Sequence, residues 1–396
     1  MPSHERFTQQ MEYSLHQEIN ELYLSIALRN FATGMITMFG VIFIYKLLGY
    51  SLLLTFTFYL IQLIGQVTLV PLTAKLLDSW GLKKMMAIGM PFLGFYFILL
   101  SIASRYSENV STLIYLLGLA IVCKILYLVL YWPPRHIDFA KFSQSHKRGQ
   151  QISLQQIIVA LSKTIAPFIG GIIITIWGFN ALFISSALLL FISALPLFFS
   201  PEVYEHYSYS YKESFQKLFT KENFKTSLAF FFEGIEYGTV IFIFPLFIYF
   251  TIKKFDTIGL ITSLSLIITL IFTYLVGWFN DKKGSKKLLP YTSVIHGFAW
   301  LLLNFIKTPL QFFFLSSLHK LAETANHIPF ISTYYHRAQT QGKNIDEYII
   351  SHEIAHNLGR AFLFLIIITG LLAGLHSWWW YFGLAAISSA LMRIIK

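Results

Sequence analysis

The sequence has few charged residues and a single cysteine. Asp, Glu, Lys and Arg make up 12% of its 396 residues, whereas 56% are hydrophobic. Because a soluble globular protein usually has about a quarter of its residues charged, this composition excludes a soluble fold of this length. The lone thiol, Cys123, excludes an intramolecular disulfide bond. The chain is therefore interpreted as a membrane protein that crosses the bilayer several times.

Motifs for nucleotide binding are also missing. The sequence has no Walker motif and no dinucleotide-binding glycine fingerprint, which argues against ATP-driven transport and redox chemistry. No cofactor is expected. Residues 1–20 lack the apolar core and small-residue cleavage site of a removable signal peptide, so we expect residues 1–21 to form a tail that stays in the cytoplasm.

Apolar runs of about 20 residues, the length that crosses a bilayer as a helix, recur along the chain. They are apolar on every face, whereas the strands of a membrane β-barrel would alternate. The predicted fold class is an all-α membrane protein with twelve transmembrane helices. The predicted spans are 22–47, 50–77, 85–104, 111–133, 151–177, 179–200, 227–251, 257–279, 288–306, 309–331, 346–373 and 376–393.

Basic residues outnumber acidic residues and are unevenly placed. The chain has 30 Lys and Arg residues against 19 Asp and Glu, a net charge of +11. Most of the basic residues fall in loops on one side of the predicted spans, which is the distribution typical of cytoplasmic loops. This placement predicts cytoplasmic termini and a location in the plasma (inner) membrane, in contact with membrane lipids. It also accounts for the positive charge without a nucleic-acid partner.

A polar segment divides the spans into two sets of six. Residues 201–226 form the longest polar stretch of the interior, and we interpret them as a cytoplasmic linker between bundles over 22–200 and 227–396. Each half carries a similar loop: AKLLDSWGLKK at Ala74–Lys84 follows span two, and GWFNDKKGSKK at Gly277–Lys287 follows span eight. Parallel repeats of this kind are the usual origin of transporter folds.

The two loops resemble the GxxxDRxGRR-type signature of the major facilitator superfamily, which lies after spans two and eight in that family. Ala74 and Ser79 depart from the pattern in the first copy. The resemblance implies two pseudo-symmetric six-helix bundles whose arrangement these loops latch. An aspartate there can accept hydrogen bonds from the start of the next helix, a glycine permits the turn, and lysines face anionic lipid or a partner carboxylate. The predicted latch residues are Asp78, Gly81, Lys83, Lys84, Gly277, Asp281, Gly284, Lys286 and Lys287.

A second family-like element occurs in span five. APFIGG, residues 166–171, resembles the GPxxGG element of antiporters in the same superfamily, with Ala166 in place of the first glycine. Pro167 would kink the helix, and Gly170 and Gly171 would let a neighbouring backbone approach closely. The element slightly favours export, although a simple packing kink would explain it equally well.

Ionisable side chains lie inside several predicted spans. Such groups are costly in a bilayer unless they face partners or water, which makes them candidates for function. The family resemblance implies that spans one, four, seven and ten line a central cavity. The candidate substrate and proton pathway consists of Arg29, Asn30, Lys124, Lys163, Glu233, Glu236, Lys320, Glu323, His352, Glu353, His356 and Arg360.

Spacing along each helix predicts how these groups interact. Lys320 and Glu323 are three positions apart and can neutralise each other. Glu233 and Glu236 have the same spacing, and two carboxylates that share a site would not both ionise, so one is expected to carry a proton. The alternative is a structural ion pair, such as Arg29 with Glu233 across the two halves.

Span eleven contains the HExxH pattern of zinc hydrolases. SHEIAHNLGR, Ser351–Arg360, places two histidines four positions apart with Glu353 after the first. A zinc hydrolase needs a third protein ligand, but the extended pattern fails at Phe362, and the chain has no Asp-Gly pair of the kind that intramembrane metalloproteases use. We interpret Glu353, His356 and Arg360 as a buried acid–base stripe and expect no metal site.

The sequence as a whole predicts a secondary active transporter and not an enzyme. It would move a small organic solute by alternating access, coupled to protons, and would function as a monomer. Two alternatives stay open. One is an intramembrane zinc metalloprotease that uses HExxH at 352–356, and the other is a membrane receptor or scaffold that binds without transport.

Overall fold

The computed structural model of the protein describes residues 24–142, 148–199 and 201–395. This part consists of helices joined by short turns, in agreement with the all-α prediction. The predicted tail, residues 1–21, lies outside the described residues. The helices are α1 (Leu24–Thr37 and Gly40–Leu47), α2 (Leu52–Ala74), α3 (Leu82–Ala103), α4 (Val110–Phe142), α5 (148–177), α6 (179–199), α7 (Phe224–Ile252), α8 (Phe255–Lys283), α9 (Ser285–Leu302), α10 (Pro309–Thr340), α11 (Ile345–Leu372) and α12 (Trp378–Leu391).

Length and composition indicate that most of these helices cross a membrane. Over the described ranges, eight helices are long and apolar enough to do so, or nine if the bent pair in α1 counts as one span. That count joins α5 to α6, although Gly178 interrupts them with φ 80° and ψ 177°. α10 is more polar because His319, Lys320 and Glu323 lie in its middle, and α12 has only 14 residues. The chain is a multi-pass integral membrane protein.

The two bundles meet through two equivalent helix pairs. α2 packs on α11, and α5 packs on α8. If each helix of one half is matched to its counterpart in the other, α2 corresponds to α8 and α11 to α5. The two pairs are therefore equivalent, as pseudo-symmetric halves require. The kink element lies in the second pair, where a Cβ atom on Gly171 would come within 2.6 Å of the Phe255 carbonyl oxygen. A Cβ atom on Gly170 would come even closer to the Met35 carbonyl oxygen of α1, so these glycines let three helix backbones approach one another.

Backbone irregularities repeat between the halves. Gly81 and Gly284 precede α3 and α9 with φ values of +75° and +82°, a conformation that favours glycine. α1 is bent by 45° between Thr37 and Gly40, and α7 contains a π-helical turn over Thr239–Ile243. The two signature loops are 203 positions apart in the sequence. The same offset moves the break in α1 into the π turn of α7, so both breaks lie at one point of the repeat.

Aromatic side chains join the bundles at the end away from the linker. Phe39 and Phe179 each pack edge-on against Phe255 of the second bundle, with ring centroids 6.0 and 5.3 Å apart. Pairs of this geometry each add about 0.5–1.5 kcal/mol beyond the burial of their area, so they hold the bundles together at this end. We call the whole group the aromatic seal; it consists of Phe39, Tyr45, Phe56, Tyr59, Phe179, Phe242, Phe250, Phe255 and Phe364.

The linker bonds to both bundles at the opposite end. His206 Nδ1 lies 2.8 Å from the Asp78 carboxylate, in the loop between α2 and α3. Ser208 donates to Glu347, at the start of α11, from its backbone N–H at 3.0 Å and from its hydroxyl at 2.6 Å. The linker is therefore an ordered bridge between the bundles.

A short helix, Tyr211–Gln216, stiffens the linker. It begins with a capping box in which Ser210 and Glu213 bond reciprocally. The backbone bond from Ser210 holds the pKa of the Glu213 carboxyl below its usual range. Tyr207 is fully buried, and its hydroxyl lies 2.6 Å from that of Ser214 on this helix.

Candidate functional site

Charged side chains of the predicted pathway are unevenly divided between the bundles: the cations occur in both bundles, whereas the carboxylates occur in one. The first bundle contributes the cations Arg29, Lys124 and Lys163. Arg29 lies against the ring of Trp132, which stacks on His136, and His136 Nε2 lies 3.3 Å from the carboxylate of Glu353 in the second bundle. Predicted pathway residues from both bundles, Arg29 and Glu353, therefore border one polar region. All four predicted carboxylates belong to the second bundle; they are Glu233, Glu236, Glu323 and Glu353.

Arg29 is buried among aromatic rings of α4. Its Nε donates to the Tyr127 hydroxyl at 3.0 Å, Nη2 donates to the same oxygen, and Nη1 donates to Asn30 Oδ1 at 3.1 Å. The guanidinium carbon lies 4.4 Å from the ring centroid of Tyr131 and 4.7 Å from that of Trp132, which are cation–π distances. The ion pairs in the described part of the chain do not include Arg29. Neutral groups therefore hold this buried cation.

Arg360 of α11 has a similar environment in the second bundle. Its Nη1 donates to Asn357 Oδ1 at 2.9 Å, and the guanidinium carbon lies 5.7 Å from the Tyr237 ring centroid. Its buried Nε has no hydrogen-bond partner within the described ranges. Each bundle thus presents a buried guanidinium that lies outside ion-pair distance of the described carboxylates.

The two predicted lysines of the first bundle have different surroundings. Lys124 Nζ lies 5.2 Å from the ring centroid of Tyr96 and 5.1 Å from that of Tyr127. Lys163 of α5 is exposed. Both add positive charge to the region that Arg29 occupies.

A histidine on α4 connects the bundles on the linker side. His136 Nε2 lies 3.3 Å from the Glu353 carboxylate of α11, and its Nδ1 lies 3.0 Å from the Tyr335 hydroxyl of α10. The Glu353 side chain is only 14% exposed. A neutral carboxyl group is a weaker acceptor than a carboxylate. Addition of a proton to Glu353 would therefore weaken a contact between the bundles.

Glu233 and Glu236 have separate partners. Glu233 bonds to His356 on α11, whereas Glu236 accepts a hydrogen bond from the Trp300 indole on α9 at 3.2 Å. Side chains three positions apart differ by about 60° around a helix axis, which lets the two carboxylates reach different neighbours. The alternative pair between Arg29 and Glu233 is not formed within the described residues, because Glu233 has its ion-pair contact with His356.

The predicted pair within α10 is confirmed. Lys320 Nζ donates to Glu323 Oε2 at 2.6 Å. His319 Nδ1 lies 4.0 Å from the same carboxylate oxygen. This carboxylate is therefore neutralised by its own helix, as the spacing predicts.

The two histidines of HExxH have different surroundings. His352 is 1% exposed, packs against the Phe230 ring and bonds through Nδ1 to the Tyr348 carbonyl. His356 bonds to Glu233. A shared zinc ion would need both imidazoles to point at one position and a third ligand beside them. The three-ligand group that the described residues do form includes neither histidine.

The first latch loop uses a carboxylate that the sequence analysis missed. Glu202 of the linker accepts hydrogen bonds from the backbone N–H groups of Lys83 and Lys84 at 2.7 and 2.8 Å, and so caps the start of α3. A Cβ atom on Gly81 would overlap the Glu202 side chain. This close approach explains the glycine as well as its positive φ.

The predicted role of Asp78 as this cap is wrong. The short helix Leu77–Trp80 directs its carboxylate to His206 of the linker instead. The predicted partner carboxylate for a latch lysine does exist, because Lys83 Nζ lies 3.1 Å from Asp138 of α4 and both side chains are buried.

The second latch loop shares the backbone geometry of the first. Gly284 begins α9 with positive φ, and Lys286 and Lys287 are exposed. A Cβ atom on Gly277 would meet nothing within 4 Å. The side chain of Asp281 lies outside the described part of the structure.

Replacing Asp138 with asparagine is expected to lower the free energy of unfolding by about 3–5 kcal/mol, because it removes the carboxylate from a fully buried ammonium group. The measurement is the thermal midpoint of the purified chain in detergent. The double variant Lys83→Met, Asp138→Leu should recover much of the loss, since it removes both charges. An unchanged midpoint for Asp138→Asn would contradict the buried pair.

Sequence reasoning missed the aromatic partners on α4. Tyr127 and Tyr131 are four positions apart, and Lys124 precedes Tyr127 by three, so the three residues share a helix face. This spacing could have predicted a stripe of polar and aromatic side chains on α4. No local spacing could have predicted the contacts of His136, because its partners lie on α10 and α11.

Comparison with known proteins identifies a matching family and several similar folds. A family model described as Major Facilitator Superfamily matches residues 22–249. The fold is similar to that of a D-xylose-proton symporter, at 13% identity and a TM-score of 0.70 over 96% of this chain and 97% of the other. It is also similar to the nucleoside transporter NupG, at 14% identity and a TM-score of 0.66 over 95% and 97% of the two chains.

A further similar structure is a bacterial homologue of the human drug peptide transporters PepT1 and PepT2. It has 13% identity and a TM-score of 0.63 over 96% of this chain and 97% of the other. Identities this low establish the shared fold alone. No curated protein sequence matches the chain significantly.

Proposed function

The chain belongs to the major facilitator superfamily, and on that basis we propose that it is a proton-coupled secondary transporter of a small organic solute that carries an anionic group. The two bundles would move about the polar region between them and expose it to each side in turn. One observation supports an anionic group on the solute. Arg29 and Arg360, one from each bundle, are buried cations outside ion-pair distance of the described carboxylates.

An anionic group of the solute would supply the charge that these cations need. A buried cation is costly unless an anion or strong acceptors compensate it. The guanidinium of Arg29 is fixed by Tyr127 and Asn30, so a solute carboxylate would meet a preorganised donor. The partly exposed ring of Trp132, beside Arg29, offers an apolar surface to the rest of the solute.

Glu353 is the proposed proton carrier. Glu233 and Glu236 bond to partners within their own bundle, whereas Glu353 contacts His136 of the other bundle. Protonation of Glu353 would therefore change an interaction that must break when the linker side opens. The similarity to a D-xylose-proton symporter supports proton coupling as part of the proposal.

The location, direction and oligomeric state are also proposals. The positive-inside pattern supports the plasma (inner) membrane with both termini in the cytoplasm. Export is favoured slightly by the element at Pro167, whose carbonyl closely approaches Gly259 of α8. We propose in addition that the chain functions as a monomer.

A thermal-shift screen of the purified chain tests the proposal. Small organic acids would be compared with their uncharged amides at about pH 6 and pH 8, and active compounds would then be tested for flux in liposomes. We expect acids to stabilise the chain and amides to have little effect. Binding without flux would favour the receptor or scaffold alternative, and peptide cleavage that requires zinc would favour the metalloprotease.

Replacing Arg29 with glutamine is expected to weaken binding of the acid by about 10- to 100-fold, since a hydrogen bond to a charged group contributes about 1.5–3 kcal/mol. Affinity would be measured by the concentration dependence of the thermal shift. Lys307→Gln removes the same charge from an exposed position and serves as the matched control. Equal affinity of Arg29→Gln and the unaltered chain would contradict an anion site at Arg29.

A further inference from the structure

Three potential metal ligands converge inside the second bundle, apart from the HExxH histidines. Glu236 of α7, His296 of α9 and His319 of α10 each place one ligand atom within 4.8 Å of the other two. The three residues are only 5%, 1% and 3% exposed. They come from three different helices, so the fold and not a local sequence motif brings them together.

Two ring nitrogens of this cluster are buried without a hydrogen-bond partner. They are Nε2 of His296 and Nε2 of His319, as far as the described residues show. His296 Nε2 lies 3.4 Å from Glu236 Oε1, which is beyond the usual length of a hydrogen bond. Because buried polar atoms are nearly always paired, two such nitrogens beside a carboxylate indicate a site that a metal ion would satisfy.

The other ring nitrogens have neighbours of the kind that orient metal ligands. His319 Nδ1 faces the Glu323 carboxylate at 4.0 Å, which is longer than a hydrogen bond, and His296 Nδ1 lies 3.3 Å from the side-chain amide nitrogen of Asn326. A half-turn of that amide would let its oxygen accept from Nδ1–H of His296, while its nitrogen donates to the Ser293 hydroxyl, now 2.8 Å from the amide oxygen. Metal-binding histidines usually donate their second ring N–H to such an oxygen.

The charge and donor set define the class of ion. The partners seen for Glu236, the Trp300 indole and His296, can both be neutral, and a buried carboxylate with neutral partners is stabilised by a cation. Two imidazole nitrogens and one carboxylate oxygen suit zinc and the other divalent first-row transition metals. Calcium and magnesium prefer oxygen ligands alone.

We propose that Glu236, His296 and His319 form a binding site for a divalent first-row transition-metal ion. The ion would join α7, α9 and α10 within one bundle and would therefore stabilise that bundle. The inference contradicts our expectation from the sequence that the chain has no metal site. It does not depend on the solute or on transport activity.

The test is zinc binding by the purified chain. The protein is prepared without a polyhistidine tag and stripped of metal with a chelator. We expect about one zinc ion per chain by titration calorimetry, together with a higher thermal midpoint. The double variant His296→Gln, His319→Gln should bind zinc at least about 100-fold more weakly, because loss of ligands costs more than the 10- to 100-fold typical of an outer-shell change.

The matched control is the double variant His352→Gln, His356→Gln, which removes one buried and one partly exposed histidine from the same bundle. It should keep the zinc affinity of the unaltered chain. If the His296, His319 variant does not fold, Asn326→Ala is tested instead. We expect it to lower zinc affinity by about 10- to 100-fold. No saturable zinc binding, binding that survives loss of His296 and His319, or unaltered affinity in Asn326→Ala would overturn the proposal.

Discussion

Replacing Gly359 with alanine is expected to destabilise the chain by about 3 kcal/mol or more and to push α11 away from α7. A Cβ atom at this position would overlap the backbone carbonyl of Phe231, and one on Gly234 would overlap that of His356. Backbone atoms cannot move aside without moving a helix, and overpacking of a filled interior typically costs 1–3 kcal/mol, occasionally more. The shift would also strain the bond between His356 and Glu233.

The thermal midpoint and the fraction of monodisperse protein would measure this effect. Gly118→Ala of α4 and Gly383→Ala of α12 are matched controls, because a Cβ atom at either position would meet nothing within 4 Å. Each control should be neutral or stabilise its helix by up to about 1 kcal/mol. If Gly359→Ala behaved like the controls, α7 and α11 would not be packed as described.

Replacing Glu353 with glutamine is expected to abolish proton-driven accumulation of the solute. A pH difference of one unit corresponds to about 1.4 kcal/mol per proton, which can support about a tenfold solute gradient. Glutamine can still bond to His136 but cannot gain or lose a proton. In liposomes with a one-unit gradient, we expect the unaltered chain to build a solute gradient of about tenfold and the variant to stop near equal concentrations.

Two further measurements make this result specific. Solute counterflow without a pH gradient should persist in Glu353→Gln, which would show that the variant is folded and binds solute. Glu323→Gln is the matched control, because Glu323 is neutralised by Lys320 on its own helix, and its variant should keep the gradient. Accumulation that survives in Glu353→Gln would remove this residue from the proton pathway.

Hydropathy was sufficient to locate the helices but not to find their ends. The apolar run of the fourth span ends at residue 133 and that of the tenth at residue 331, whereas α4 continues to Phe142 and α10 to Thr340. Apolar runs identify only the part of a helix that lies within the bilayer core. Beyond it, backbone hydrogen bonds and contacts such as His136 with Tyr335 continue the helix, and the sequence pattern contains no signal for these contacts.

The candidate site was predictable in residue types but not in partners. The sequence indicates which helices carry charge, and the pair within α10 follows from spacing alone. Partners on different helices depend on how each helix is rotated about its axis, which is why Glu236 reaches α9 while Glu233 reaches α11. Glu202 caps a helix that begins about 120 positions earlier, and local capping rules could not identify so distant a residue.

The breaks in α1 and α7 give each bundle one irregular turn within its first helix. Arg29 and Glu233 lie on the linker side of these breaks, whereas Tyr45 and Phe250 of the aromatic seal lie beyond them. Irregular turns bend more readily than continuous helix. In the proposed transport cycle, bending at these breaks would displace the seal and leave the charged segments in place, so that one end could open without moving the buried charges.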